Sequence, residues 1–271
     1  MVRVEMLAVG KELLIGRTLN TNAHWVGKRL ARMGIMLKQV TTVDDDLTEI
    51  ASSFRAITGR GPDFLIVVGG LGPTPDDMTL KGVAGALGVG LRKNAEALKL
   101  MRAHYVRRGM ADVELTPARL KMARLPIGAE PVTNEAGTAP GVRLIAGKTM
   151  VFCLPGVPAE MRGIFRRSVE PEIRAKLGKL YRRYITMKLE GVLESALAPV
   201  IEEELRRHPG AYVKSHPRGS REGVSRIELD IAVVGESKDW SDREGGAIRD
   251  EMERAVVGLG GAIRTVGEDG R

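Results

Sequence analysis

Phe64-Leu-Ile-Val-Val68 is five apolar residues in a row, and Gly69-Gly70-Leu71-Gly72 follows without a spacer. A half-buried strand alternates apolar and polar side chains, so an uninterrupted run belongs to a strand covered on both faces. Such strands occur in parallel sheets whose crossovers carry helices and are right-handed. The flanking pattern agrees. Residues 2–10 read as an apolar strand ending at Gly10, and Thr21–Met33 carries Trp25, Val26, Leu30 and Met33 at helical spacing before Gly34. Residues 35–43 suit a second strand, and a helix capped by Asp46 or Thr48 extends to Thr58. This order predicts a three-layer, doubly wound α/β domain with a mostly parallel sheet.

Beyond the glycines, Met78–Leu87 reads as a helix closed by Gly88. Residues 93–108 form another, with Leu98, Met101 and Tyr105 on its apolar side and Arg102, Arg107 and Arg108 on a solvated basic side. Thr116-Pro117 opens a short helix, and "VRLIAGKTMVFCLPG" reads as a hairpin around Ala146-Gly147-Lys148. Pro158–Leu177 is helical. Composition shifts near Gly178, dividing the 271 residues into a large domain, 1–178, and a small α+β module, 179–271. In the module the strands are Arg183–Leu189, Ala211–Ser215 and Ser225–Val234, the helices Glu194–Arg207 and Ser241–Val257, with a loop at Pro217–Gly223.

The net charge of +8 favours anionic partners. Only 4% of residues are aromatic, which leaves few stacking platforms and argues against nucleic acid as a partner. One cysteine, Cys153, inside an apolar run, excludes an internal disulfide and a multi-cysteine metal site. No apolar run approaches the length of a membrane span, and a cytoplasmic protein is expected.

Ligands of open α/β sheets bind beyond the carboxyl ends of the strands, where strand order reverses. Gly69, Gly70 and Gly72 lie there, and a helix starting near Asp77 would direct its positive end at the same place. Asp76 and Asp77 would repel a bare phosphate, a conflict that a divalent cation such as Mg²⁺ removes. In the plainer alternative Asp76 caps the helix, Asp77 and Thr79 fill its first turn, and the glycines shape a tight loop. Glu12 follows the first strand, and "TLNTN" (18–22) brings Asn22, whose amide suits a ribose or heterocycle edge. Asp44-Asp45-Asp46 follows the second strand, and "NEAGTAPG" (134–141) and "LPGVPAEM" (154–161) complete the set of loops.

"GKELLIG…LNTN", "GGLGPTPDDMT", "NEAGTAPG" and "LPGVPAEM", in this order, resemble the CinA-like family, whose first domain belongs to the molybdopterin-binding (MoaB/MogA-like) superfamily. The resemblance covers residues 1–177, and the module after it is similar in length and element order to the KH-like domain of CinA proteins. It implies a homo-oligomer whose phosphate and metal loop is formed by Gly69, Gly70, Gly72, Thr74, Asp77 and Thr79. Asp44 or Asp45 corresponds to the acid after the second strand, Glu12 to that of the first motif, and Asn134, Gly137 and Pro140 to the third motif. Lys11 departs from the Asp or Thr usual there, and at 271 residues the amidohydrolase domain of many bacterial members is not expected.

The implied activity is hydrolysis of a nucleotide pyrophosphate such as ADP-ribose to AMP and ribose 5-phosphate, with Mg, Mn or Co as cofactor. Asp77, with Asp76 or Asp44/Asp45, would hold the cation, and Glu12 or one of Asp44–Asp46 would act as base. Two alternatives stand beside it: a molybdopterin-binding or molybdopterin-adenylylating protein of cofactor biosynthesis, and nucleic-acid binding through the KH-like module. A KH domain clamps nucleic acid with a Gly-x-x-Gly loop, whereas Gly219-Ser-Arg-Glu-Gly223 has one residue too many and lies between strands.

Overall fold

A computed structural model describes residues 2–110, 112–178 and 180–270. The chain forms two compact units, Met1–Ala31 with Ile35–Gly178, and Arg32–Gly34 with Lys179–Arg271.

The first unit begins β1 (Val4–Val9), α1 (Lys11–Leu14), α2 (Thr21–Ala31), β2 (Leu37–Val43), α3 (Leu47–Arg60), β3 (Phe64–Val68) and α4 (Thr79–Leu87). It continues β4 (Leu91–Lys93), α5 (Ala95–Arg107), α6 (Pro117–Lys121), β5 (Arg124–Pro126), β6 (Glu130–Val132), β7 (Gly141–Ala146) and β8 (Thr149–Leu154). A helical arm closes it, α7 (Pro158–Ile164) and α8 (Glu170–Leu177) joined through a π-helical turn at Phe165–Val169. The main sheet has the order β2-β1-β3-β8-β7-β6. β1 pairs in parallel with β2 and β3, and β3 with β8, while β7 runs against both its neighbours.

Both faces of the sheet are buried at its central strands β1, β3 and β8, as the apolar run at β3 requires. Leu7, Leu65, Val67, Val151 and Cys153 share one core with Ile50, Phe54 and Ile57 of α3 and Val83 of α4. The alternate residues Met6, Ile66 and Phe152 are buried on the opposite face, as are Val26 and Leu30 of α2 and Met161 and Ile164 of α7. Each large side chain so buried contributes roughly 1.5–3 kcal/mol. Burial also pushes the Cys153 thiol up to about 12, so it stays protonated and packs as a core residue.

Local signals set the element ends. Asp46 caps α3 by accepting from the N–H groups of Thr48 and Glu49, and Asn94 and Thr116 cap α5 and α6 in the same way. Gly88 ends α4 in the left-handed conformation, and Gly147-Lys148 forms the two-residue turn between β7 and β8. α4 begins one residue later than the sequence pattern suggests. Neither Asp76 nor Asp77 caps it; Met78 holds the cap position without a side-chain bond.

The second unit runs β9 (Tyr181–Glu190), α9 (Glu194–Arg207), β10 (Ala211–Arg221), β11 (Val224–Gly235), α10 (Lys238–Gly258) and β12 (Ala262–Gly270). Its antiparallel sheet has the order β10-β11-β9-β12, the interlaced arrangement of split βαβ folds. Two differences from the sequence expectation stand out. Residues 217–221 continue β10 instead of looping, because β10 is an edge strand, where Pro217 removes no needed ladder bond. The turn contracts to Glu222-Gly223, both at positive φ, as a tight hairpin requires. β12, unexpected in so polar a segment, pairs with the remaining edge of β9. The hairpin β10–β11 therefore separates α9 from α10, and among the described residues no Gly-x-x-Gly loop, the element with which a KH domain clamps nucleic acid, joins two helices of this unit.

Candidate functional site

Strand order reverses around β1, which has β2 on one side and β3 on the other. At the carboxyl ends of these strands opens a cavity of about 620 Å³. Gly10 and Glu12 after β1, Asp45 after β2, Gly69–Pro73 with Asp76 and Asp77 after β3, and Gly156 and Glu160 after β8 line it.

The glycines are required by backbone geometry. Gly69 has φ 111°, and a Cβ there would overlap the Val9 carbonyl oxygen; Gly70 has φ 64°, and its Cβ would fall on the Thr79 hydroxyl. The Thr79 hydroxyl donates to Gly69 O at 2.8 Å, and Thr79 N–H donates to Gly70 O at 3.2 Å, which ties the loop to the first turn of α4. Gly69 N–H is engaged by Leu154 O at 3.0 Å. The next three N–H groups, of Gly70, Leu71 and Gly72, have no acceptor among the described residues. They form a row of donors on the cavity wall, the arrangement that receives an anion.

Downstream of this row, Asp77 Oδ2 accepts from Thr74 N–H at 2.8 Å and from the Thr74 hydroxyl at 2.6 Å, closing the turn on itself. The Lys121 ammonium donates to Thr74 O and anchors the same turn. Among the described residues no group of three or more His, Cys, Asp or Glu side chains is arranged to hold a metal ion. The expected ligand pair Asp76 and Asp77 thus contributes acids to the wall, with one Asp77 oxygen already held by Thr74.

The three acids after β2 divide their work. Asp46 caps α3, Asp44 Oδ2 lies 3.7 Å from Lys11 Nζ, and Asp45 Oδ2 accepts from Lys11 N–H at 3.0 Å while facing the cavity. Burial raises the Asp45 carboxyl above its usual range; the Lys11 N–H opposes this, and the charges of Glu12, Asp44 and Asp76 add to it. Asp45 is therefore the carboxylate on this wall that its acidic neighbours disfavour, whereas hydrogen bonding first, with Lys121 beside it, lowers Asp76 below its usual range.

Asn22 Nδ2 donates to Gly156 O at 2.7 Å, fixing the amide between α2 and the turn after β8, and its Oδ1 is buried without a partner among the described residues. Asn134 is buried behind the cavity. Its Oδ1 accepts from Ala136 and Gly137 N–H, and its Nδ2 donates to Ala139 O and to Glu160 Oε2 at 2.6 Å. Asn134, Gly137 and Pro140 hold the third loop in shape, and the neighbouring Thr138 and Ala139 form the wall. Of the residues picked from sequence, Glu12, Asn22, Asp45, Gly69, Gly70, Gly72, Asp76 and Asp77 line the cavity; Asp44, Thr74, Thr79, Asn134, Gly137 and Pro140 stand outside its wall. Wall residues that no motif marks include Tyr105 of α5, Arg119 of α6 and Met122 just after it.

A family profile described as "Probable molybdopterin binding domain" matches residues 5–175. The chain belongs to this molybdopterin-binding-domain family. A protein of Aeropyrum pernix is 42% identical over 263 residues, 96% of each chain. One of Metallosphaera sedula is 39% identical over 262 residues, 97% of each. Among solved structures, the protein CinA of Thermoplasma acidophilum, described as of unknown function, is 40% identical with a TM-score of 0.57, covering 63% of this chain and 98% of that one. The CinA likeness and the family profile agree with the motifs of the first unit, which is a mixed α/β domain with a largely parallel sheet. Among the described residues no helix is long and apolar enough to cross a membrane.

Proposed function

We propose that the first unit binds a phosphate-bearing pterin of the molybdopterin type, as a binding or adenylylating protein of cofactor biosynthesis. One observation carries this reading: the row of unpaired N–H donors at Gly70, Leu71 and Gly72 on the cavity wall, at the point where strand order reverses. Membership of the molybdopterin-binding-domain family supports it. The donor row would take the phosphate, and Asn22 would stand beside the ring system; the pterin supplies the metal-binding dithiolene. The test is equilibrium binding of molybdopterin to the purified chain, with inorganic pyrophosphate as competitor. Binding that is absent, or indifferent both to pyrophosphate and to Gly70→Ala, would overturn the reading.

A second reading is favoured by the burial of Asp45 beside the negative charges of Glu12 and Asp76, which a divalent cation at Asp45 would offset. In it the chain hydrolyses the pyrophosphate of ADP-ribose, water adding to one phosphorus as the bridging P–O bond breaks, to give AMP and ribose 5-phosphate. The cation supplies Lewis-acid stabilisation of a phosphoryl oxygen. Asp45 and Asp76 would hold it, the Gly70–Gly72 donors would steady charge on the non-bridging oxygens, and Glu12 would take the proton from water. AMP release in the presence of Mg²⁺, Mn²⁺ or Co²⁺ tests this. No release with any of the three, or release unchanged by Asp45→Asn, rejects it.

A further inference from the structure

Acids predominate among the charged residues of the cavity. Its titratable wall residues include Glu12, Asp45, Asp76, Asp77 and Glu160, and Arg119 is the single Lys or Arg among the described residues that line it. Arg119 is placed with care. Its Nη1 donates to Glu114 O at 2.6 Å, and its guanidinium carbon lies 5.5 Å from the centre of the Tyr105 ring, within cation–π range. Tyr105 is buried, so the ring is a fixed platform and not a mobile surface group. No carboxylate among the described residues pairs with Arg119, despite the acids around the same cavity. A guanidinium has five donors, and the carbonyl of Glu114 and the ring face account for only part of its capacity. The remaining donors are preorganised and unclaimed, which is how arginine recognises phosphate and carboxylate.

We propose that Arg119 is a specificity-determining contact for a second anionic group of the ligand, distinct from the phosphate received by the Gly70–Gly72 donors; this rests on the reading that an anionic ligand occupies this cavity. A ligand with one anionic group gains the backbone donors but meets the repulsion of the surrounding acids. A ligand with two gains Arg119 as well, so the site selects compounds that carry two linked anionic groups. Tyr105 is the positioning residue, its ring lying beside the guanidinium.

The experiment is calorimetric titration of the full chain, in EDTA, with orthophosphate and with pyrophosphate as probes. In the wild type, pyrophosphate should bind about tenfold or more tightly than orthophosphate, the worth of one charge-assisted contact. Arg119→Ala should bring the ratio close to one, weakening pyrophosphate far more than orthophosphate. Arg119→Gln keeps a donor for Glu114 O, serves if the alanine variant folds poorly, and should have the same effect. Tyr105→Phe should retain the preference and Tyr105→Leu should weaken it. A ratio unchanged in both arginine variants, or equal binding of the two probes to the wild type, overturns the role of Arg119 alone. Failure of the wild type to bind either probe removes the anion-binding reading with it.

Discussion

Replacing Gly70 by alanine should damage the loop through two effects that a double-mutant cycle can separate. At φ 64° an alanine pays the left-handed penalty of about 1–2 kcal/mol, partly offset by about 0.4–1 kcal/mol from the stiffer unfolded chain. Its Cβ also falls on the Thr79 hydroxyl and displaces it from Gly69 O, which costs about 1–1.5 kcal/mol for a buried hydrogen bond. Gly70→Ala should therefore destabilise the first unit by about 2 kcal/mol. Thr79→Ala loses the same hydrogen bond, about 1–1.5 kcal/mol. In the double variant that bond is lost only once and the overlap with the hydroxyl is absent, leaving closer-than-usual approaches of 3.2 Å to Cβ and 3.3 Å to N of residue 79, so the combined cost should fall short of the sum by about 1 kcal/mol. The two tryptophans permit a clean assay, since Trp25 lies in the first unit and Trp240 in the second. In a Trp240→Phe background, urea unfolding followed by Trp25 fluorescence reports the first unit. Additivity of the two substitutions within about 0.3–0.5 kcal/mol would refute the claim that Gly70 is required because of Thr79.

Three further outcomes can be checked by the same assay. Asp45→Asn should raise stability at neutral pH. Burial holds the folded-state carboxyl above the ordinary carboxylate value, so its cost is absent below that ordinary value and appears as pH rises through the folded pKa; a gain at pH 4 equal to that at pH 7 would contradict it. Asn134→Ala removes an acceptor for two N–H groups and the donor to Ala139 O and Glu160, and should cost about 2–4 kcal/mol, whereas a cost below about 1 kcal/mol would mean the third loop holds itself. His104 is buried, and burial first, then Arg108 and Arg107, lowers its pKa from 6.5; its contribution is present above that value and lost as pH falls through the folded pKa. His104→Leu should flatten the loss of stability on the acid side of neutrality, and an unaltered pH profile would argue against it.

Much of the first unit is written in local pattern. The apolar run of β3, the caps Asp46, Asn94 and Thr116, and the stops at Gly34, Gly61 and Gly88 are each decided by a few adjacent residues, because they depend on strand burial, side-chain capping and left-handed backbone. Where the pattern was silent, the deciding contact lay far away in sequence. β12 exists because β9 offers it an open edge, Pro217 is tolerated because β10 has no neighbour beyond it, and α1 is held in place by Asp45 of another loop. The π-helical turn at Phe165–Val169 lies within a stretch that reads as one unbroken helix, and its residues carry no breaker to announce it.

The cleft divides in the same way. Sequence alone determined that glycines and acids would gather at the carboxyl ends of the strands, because an apolar strand that runs directly into Gly-Gly leaves few other folds open to it. Tertiary structure decided which of these groups face the cavity: three adjacent aspartates look alike in sequence, yet one caps a helix, one lies near a lysine and one faces the cleft. It also decided that Asp77 closes its own turn while Gly70–Gly72 keep their donors unpaired. Above all it brought Arg119 onto the ring of Tyr105 at the edge of an acidic cavity, a meeting of α5 and α6 with loops distant in sequence, which no spacing of residue types encodes.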